Sequence, residues 1–140
     1  SLGSPYTELP DMNAALGIVQ LAKIDMLLAR RNEIYRMYLQ SQLKSGSRLF
    51  GSASPLFTAN GYGFSVIVKA RPDASIAFAT SHSVSCRRTF TDSIGHRYQD
   101  KYDRFPNAIA AITRAISFPL YPFLAKADLE SVQRVISHIG

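Results

Sequence analysis

The chain has 140 residues, of which 46% are hydrophobic and 19% are charged, and its formal net charge is +6. These values fit one globular domain with its own core and exclude a disordered chain. The single cysteine, Cys86, excludes an internal disulfide framework, and three scattered histidines leave a zinc site short of ligands.

The first predicted element is one long helix over residues 11–43, which follows Pro10 and contains no further proline. At 1.5 Å per residue it would be about 50 Å long, more than the roughly 37 Å diameter of a compact domain of this size. The apolar band is wide before Ala29 and narrower after it. We therefore expect the first half to pack against more than one neighbour.

The rest of the chain alternates short strands with helices. In order, the sequence predicts a strand at 64–69, a helix at 73–81, a strand at 84–90, a helix over "PNAIAAITRAI", an extended "SFPLYPF" and a helix over "AKADLESVQRVISHI". This order predicts an α+β fold, in which a small antiparallel-type sheet is packed by helices. Residues 1–43 would form the tail and long helix, and residues 44–140 a small C-terminal α/β sandwich, as one domain overall.

Most chemical motifs in the sequence have an ordinary structural reading. The Ser41-x-x-Lys44 spacing has no companion motif, so we interpret it as chance. The "NGYGF" stretch lacks the residues of a phosphate loop and is interpreted as a flexible lead into the strand at Phe64. Cys86 lies in an apolar strand and is interpreted as a core thiol. No catalytic triad, paired carboxylates or metal site is predicted.

A cluster of basic and aromatic residues is the sharpest chemical signal. Its members are Arg87, Arg88, Arg97, Lys101 and Arg104, interleaved with Phe90, Tyr98, Tyr102 and Phe105. Arginines beside aromatic rings suit phosphates and bases, but Asp92, Asp100 and Asp103 weaken the positive field. Two interpretations of this cluster stay open: it binds an anion, or it is a polar loop whose charges pair with one another. Because side chains alternate along a strand, only one of Arg87 and Arg88 can face a given site.

Two blocks of sequence resemble the DegT/DnrJ/StrS-type sugar aminotransferases. They are "ELPDMNAALGIVQLAKIDMLLARRNEI", residues 8–34, and "FPNAIAAITRAISFPLYPFLAKADLESVQRVI", residues 105–136. The resemblance implies the small C-terminal domain of a fold-type I enzyme, in which a long helix connects the large cofactor domain to the small one. A connector of this kind would explain a helix too long for its own domain. Gly17 would then let another backbone approach the helix closely.

The resemblance also implies a chemistry for the parent enzyme. Such an enzyme transfers an amino group, usually from glutamate, to a keto-sugar nucleotide, with pyridoxal phosphate (PLP) bound as a Schiff base to a lysine of the large domain. The lysines of this chain all fall in the small-domain region: Lys23, Lys44, Lys69, Lys101 and Lys126. The chain alone is therefore expected to be inactive, with no catalytic residue and no covalently bound cofactor.

Four site residues are carried over by the resemblance. Tyr6 matches a family position that can reach the PLP phosphate of a neighbouring subunit, although Glu8 beside it would repel a phosphate. Arg87, Arg88 and Phe90 match a segment that lines the sugar-nucleotide site. Because of Glu8 and the altered loop, a non-catalytic interaction or regulatory relative is the alternative. A basic nucleic-acid-binding module is a less favoured third reading.

The sequence also suggests how the chain associates and where it resides. We expect a homodimer, or self-association through the long helix, because a large apolar face rarely stays bare. No apolar run is long enough to span a membrane, and "SLGSPYTELP" lacks the order of a signal peptide. With a single cysteine, these features favour the cytoplasm.

Overall fold

The computed structural model describes residues 10–50, 60–69, 71–91 and 103–140. The elements within these residues, in chain order, are α1 (Asp11–Leu21), α2 (Ile24–Gln42), β1 (Arg48–Leu49), β2 (Phe64–Ile67), α3 (Pro72–Ser81), β3 (Arg87–Arg88), α4 (Pro106–Arg114), β4 (Ala115–Phe118) and α5 (Lys126–His138). The strands form one sheet in the order β1-β2-β4-β3, and all neighbouring strands are antiparallel. The predicted α+β class with a small helix-packed sheet is confirmed.

The long helix predicted over residues 11–43 is instead two helices, α1 and α2, bent by 55° at the break between them. The break contains neither proline nor glycine, the usual sequence causes of a sharp kink. In α1 no residue is buried, whereas α2 has a buried face. Among the described helices no single one is long and apolar enough to cross a membrane. Only α1 and α2 taken together, with the bend between them, have the length and apolar composition that a membrane span needs.

The core lies between one face of the sheet and the helices α2, α3 and α5. Phe64 on β2 is its aromatic centre, with ring centroids 5.5 Å from Tyr35, 5.4 Å from Tyr38 and 6.4 Å from Phe118. The helices add a buried aliphatic set, which comprises Ile34, Ala79, Leu129, Val132, Val135 and Ile136. The buried residues of this face of the sheet therefore pack against these helices.

The central strand β4 is the main departure from the predicted elements. Ala115 and Ile116 were expected to end a helix, but they begin a strand that pairs with β2 and β3. The helix α4 ends at Arg114, directly before the strand. The predicted strand at 84–90 is also shorter, because only Arg87 and Arg88 pair with β4.

Alternation along the strands separates the core face from a second face. Leu49, Phe64, Val66, Ile116 and Phe118 belong to the core. Their strand neighbours point the other way. These neighbours, here called the second face, are Arg48, Phe50, Ser65, Ile67, Arg87, Thr89, Ala115 and Ser117.

Candidate functional site

The second face carries polar side chains that come from three different strands. Ser65 on β2 and Arg87 on β3 both pair with Ser117 on β4, from its two sides. The three residues therefore form one row across the sheet, with neighbouring strands about 4.8 Å apart. This register brings together residues that are far apart in the sequence.

A continuous line of hydroxyl groups crosses this face. The Ser65 Oγ and Ser117 Oγ atoms are 2.8 Å apart, and the Thr89 Oγ1 and Ser117 Oγ atoms are also 2.8 Å apart. All three side chains are half-buried. We call Ser65, Ser117 and Thr89 the hydroxyl row. The sequence did not predict it, because nothing local marks Ser65 on β2, Ser117 on β4 and Thr89, directly after β3, as partners.

Two phenylalanines from opposite edges of the sheet meet over this face. Phe50 follows β1 at one edge, and Phe90 follows β3 at the other. Their ring centroids are only 5.3 Å apart, with an interplanar angle of 63°. Since two strands separate β1 from β3, the rings must reach toward each other above the middle strands.

The two arginines of β3 have different surroundings. Arg88 donates from Nη2 to Asp73 Oδ1 of α3, at 2.8 Å, which places it on the core side of the sheet. Arg87 is exposed on the second face, in line with Ser117. The described strand residues of this face include a second exposed arginine, Arg48, and no carboxylate. This face is therefore electropositive along its strands.

Some of the remaining site residues predicted from the sequence lie within the described ranges, and others lie outside them. Tyr6, with Glu8, lies outside the described residues, so its role stays a prediction. The same is true of Arg97 and Lys101 in the basic loop. Phe90 is described and belongs to the aromatic pair over the second face.

Cys86 and Ser41 have structural surroundings. Cys86 packs against the core, and burial raises the pKa of its thiol to about 12, which disfavours the reactive thiolate. The Ser41 hydroxyl is buried and donates to the carbonyl oxygen of Met37 at 3.2 Å. Neither residue has the environment of a nucleophile. In the parts of the chain that the structure describes, no group of three or more acidic, histidine or cysteine side chains could hold a metal ion.

Comparison with known protein families covers nearly the whole chain. The model of the DegT/DnrJ/EryC1/StrS aminotransferase family matches residues 3–139. The chain belongs to this family. The predicted resemblance is thereby confirmed, and it extends beyond the two blocks that first carried it.

Solved structures of aminotransferases share the fold of this DegT-family chain. Spr1654 of Streptococcus pneumoniae, assigned as a sugar aminotransferase and solved in its PLP form, matches 98% of this chain with a TM-score of 0.79 and 16% identity. TlmJ of Streptoalloteichus hindustanus matches 91%, with a TM-score of 0.75 and 26% identity. PseC of Helicobacter pylori, an aminotransferase of pseudoaminic acid biosynthesis, matches 97%, with a TM-score of 0.71 and 16% identity. The match covers only 38%, 35% and 38% of these three chains, respectively.

The described residues of this DegT-family chain do not fit a covalently held PLP. A Schiff-base lysine needs an enclosed, partly desolvated site. The four lysines within the described ranges are all exposed: Lys23, Lys44, Lys69 and Lys126. Lys101 lies outside those ranges. What the chain does present is an electropositive, hydroxyl-lined sheet face.

Proposed function

We propose that this chain is the small domain of a PLP-dependent aminotransferase that acts on keto-sugar nucleotides, with glutamate as the amino donor. The observation that carries the proposal is the family match over residues 3–139, together with the fold shared with sugar aminotransferases. The chain spans little more than a third of those relatives. The proposal therefore assigns the cofactor lysine to sequence outside this chain.

In this proposal the chain binds and orients the substrate. PLP, when bound by the parent enzyme, supplies the electron sink for amino transfer. Arg87 on the second face donates hydrogen bonds to a phosphate of the sugar nucleotide, because its guanidinium is exposed there and the nearest strand residues carry no carboxylate. Arg88 contributes less, because Asp73 already binds it.

The proposal is tested first on the coding DNA upstream of Ser1. We expect an open frame that continues into a domain with a candidate Schiff-base lysine. The full-length protein should bind PLP, seen as the cofactor's visible absorption band, and should transfer the amino group of glutamate to a keto-sugar nucleotide. A full-length protein that binds PLP and transfers no amino group would favour the non-catalytic relative. A frame that starts at this chain would overturn the proposal.

We also propose that the isolated chain self-associates through α1. Apolar residues surround most of this helix, yet Met12 is 82% exposed, Ile18 69% and Leu21 65%. Helices that are apolar on nearly all sides are normally buried. Around Gly17 nothing described lies within 4 Å, so another backbone has room to approach. In a solution of the isolated chain, a second copy of the chain is the partner that can cover α1 without any other molecule.

Light scattering of the purified chain tests this association. We expect a dimer that shifts toward monomer when Leu16 and Val19, on one stripe of α1, are both changed to glutamine. Phe123→Gln is the matched control, since Phe123 is 79% exposed but lies outside α1. A wild-type chain that stays monomeric at high concentration would refute the proposal.

A further inference from the structure

The turn before β2 contains an asparagine that is directly followed by a glycine. The asparagines of the chain are Asn13, Asn32, Asn60 and Asn107, and of these only Asn60 precedes a glycine, Gly61. An asparagine side chain loses its amide group when the backbone nitrogen of the next residue attacks it. A glycine in the next position favours this attack, because it has no Cβ to hinder a close approach of the backbone. The Asn60-Gly61 pair therefore offers the least steric resistance to the reaction.

The conformation of the turn folds the Asn60 side chain back over the peptide group of Gly61. The Asn60 Oδ1 atom accepts a hydrogen bond from the Tyr62 N–H at 3.0 Å, which closes a ring that contains the Gly61 nitrogen. The same donor stabilises the negative charge that develops on this oxygen when the side-chain carbon is attacked. Asn60 is exposed and lies outside the helices and strands, so water reaches its amide group.

The other three asparagines lie in helices: Asn13 in α1, Asn32 in α2 and Asn107 in α4. A helical side chain points back toward the N-terminus of its helix, away from the nitrogen of the following residue. Hydrogen bonds also fix the helix backbone; the Ala14 N–H, next to Asn13, donates to the carbonyl oxygen of Pro10 at 3.0 Å. These three residues carry the same amide group in an unfavourable geometry, so they are internal controls.

Arg31 on α2 restrains the turn that carries Asn60. Its Nη1 atom donates to the carbonyl oxygens of Gly61 and Tyr62, at 3.4 and 3.2 Å, respectively. Its guanidinium carbon lies 5.9 Å from the centre of the Tyr62 ring. Gly61 itself is buried against the backbone of Arg31. The Gly61 N–H therefore meets a base from solvent when the turn opens locally, and the contacts of Arg31 oppose that opening.

We propose that Asn60 is a site of spontaneous deamidation, and that Arg31 sets the rate by holding the turn closed. A base from solvent takes the proton of the Gly61 nitrogen, and this nitrogen forms a bond to Cγ of Asn60. The bond from Cγ to Nδ2 breaks, and the leaving nitrogen takes a proton from water and departs as ammonia. Water then opens the resulting five-membered imide at either carbonyl carbon, which leaves aspartate or isoaspartate. The reaction needs no ligand and does not depend on the proposed function.

Isoaspartate at position 60 should release the turn from α2. Isoaspartate lengthens the main chain before Gly61 by one carbon atom. Gly61 has no room for an added atom on the side of the helix, since a Cβ there would lie 2.9 Å from the backbone of Arg31. The turn must therefore move outward, and Arg31 loses the carbonyl oxygens to which it donates. The modification thus removes the same contact that slows it.

Ageing of the purified chain in mildly alkaline buffer, followed by peptide mass spectrometry, tests the site. We expect the Asn60 peptide to change from amide to acid at least about tenfold faster than the peptides of the three helical asparagines, with isoaspartate among the products. Arg31→Gln should speed this change about threefold or more, because the lost hydrogen bonds no longer oppose opening. Arg36→Gln is the matched control, since Arg36 is exposed on the same helix, and it should leave the rate unchanged.

The rates and products decide both parts of the proposal. A conversion of Asn60 no faster than that of the helical asparagines overturns the site. A product that is aspartate alone also overturns it, because direct hydrolysis of the side chain by water forms no isoaspartate. Equal rates in Arg31→Gln and Arg36→Gln refute the role of Arg31. If Arg31→Gln fails to fold, Tyr62→Ala, which removes the ring beside the guanidinium, provides the same test.

Urea unfolding of fresh and aged protein tests the release of the turn. The aged wild-type chain should unfold at a lower urea concentration than the fresh chain. Asn60→Ser keeps an oxygen that can accept from the Tyr62 N–H but has no amide group to lose, so its unfolding midpoint should not change with age. An unchanged midpoint in aged wild-type chain that contains isoaspartate would show that the turn stays on α2.

Discussion

Tyr38→Ala should lower the free energy of unfolding by about 3–5 kcal/mol, the range seen when large aromatic core residues are truncated. The Tyr38 side chain on α2 is fully buried, and its ring packs edge-on against Phe64 with centroids 5.4 Å apart. Its removal leaves a cavity where α2 meets the sheet. Urea unfolding with linear extrapolation measures the loss. A loss below about 1 kcal/mol would contradict this role of the ring in the core.

Tyr38→Phe is the matched control, because it keeps the ring and deletes only the hydroxyl. That hydroxyl donates to the carbonyl oxygen of Pro119 at 3.0 Å, so the expected cost is about 1 kcal/mol. Burial, followed by Tyr121 nearby, raises the pKa of Tyr38 above its ordinary value of 10.0. The unfolded chain therefore releases this proton first, and stability falls as the pH rises above 10. Tyr38→Phe should reduce that fall.

Gly61→Ala should cost about 2–3 kcal/mol, through two effects that act together. Gly61 has a φ of +63°, in the left-handed region that residues with a Cβ rarely adopt. A Cβ at this position would lie 2.9 Å from the backbone C and O atoms of Arg31 on α2. Backbone atoms of a packed helix cannot move aside cheaply, so the turn must shift as a whole.

The same turn supplies the control. Gly63, two residues later, has no positive φ, and a Cβ there would meet nothing within 4 Å. Gly63→Ala should therefore change stability by no more than about 0.5 kcal/mol, and restricting the unfolded chain can even make it stabilising. Equal unfolding midpoints for the two variants in urea would show that the contact between Gly61 and α2 is unimportant.

Local patterns were sufficient for much of the fold. The spacing of apolar residues predicted α5, and the β-branched run "SVIV" predicted β2. The Pro-Asp pair at the start of α3 marked its first turn correctly. The alternation of side chains along a strand correctly predicted that Arg87 and Arg88 lie on opposite faces of the sheet, because this alternation depends only on backbone geometry.

The elements that were wrong depend on tertiary contacts. In β4 the residues Ala115, Ile116 and Phe118 are all buried, so a four-residue strand shows no polar–apolar alternation and continues the helical spacing of α4. The break between α1 and α2 has no proline or glycine to mark it. The "NGYGF" stretch leads into β2 as predicted, but its contact with α2 was not predicted: Arg31 donates hydrogen bonds to the carbonyl oxygens of Gly61 and Tyr62.

The candidate site was predicted only in part, for a similar reason. Arg87 and Phe90 were found because basic and aromatic residues stand out in a sequence. The hydroxyl row was not found, because serine and threonine are common and only the register of β2, β4 and β3 aligns these three. Residues that only the pairing of distant strands brings together leave no motif in the sequence.

The bend after α1 also divides the chain into two units of very different stability. An isolated helix of fewer than about 12–15 residues is marginal in water, and α1 has 11 residues with none buried. Its amide hydrogens should therefore exchange through local fraying, while those of α2 are released only when the core opens. A partner that covers α1 must also hold it helical. The affinity of that partner will then include the free energy of folding the helix. A substitution in α1 that changes helix propensity will therefore change the affinity, even at a position that does not touch the partner.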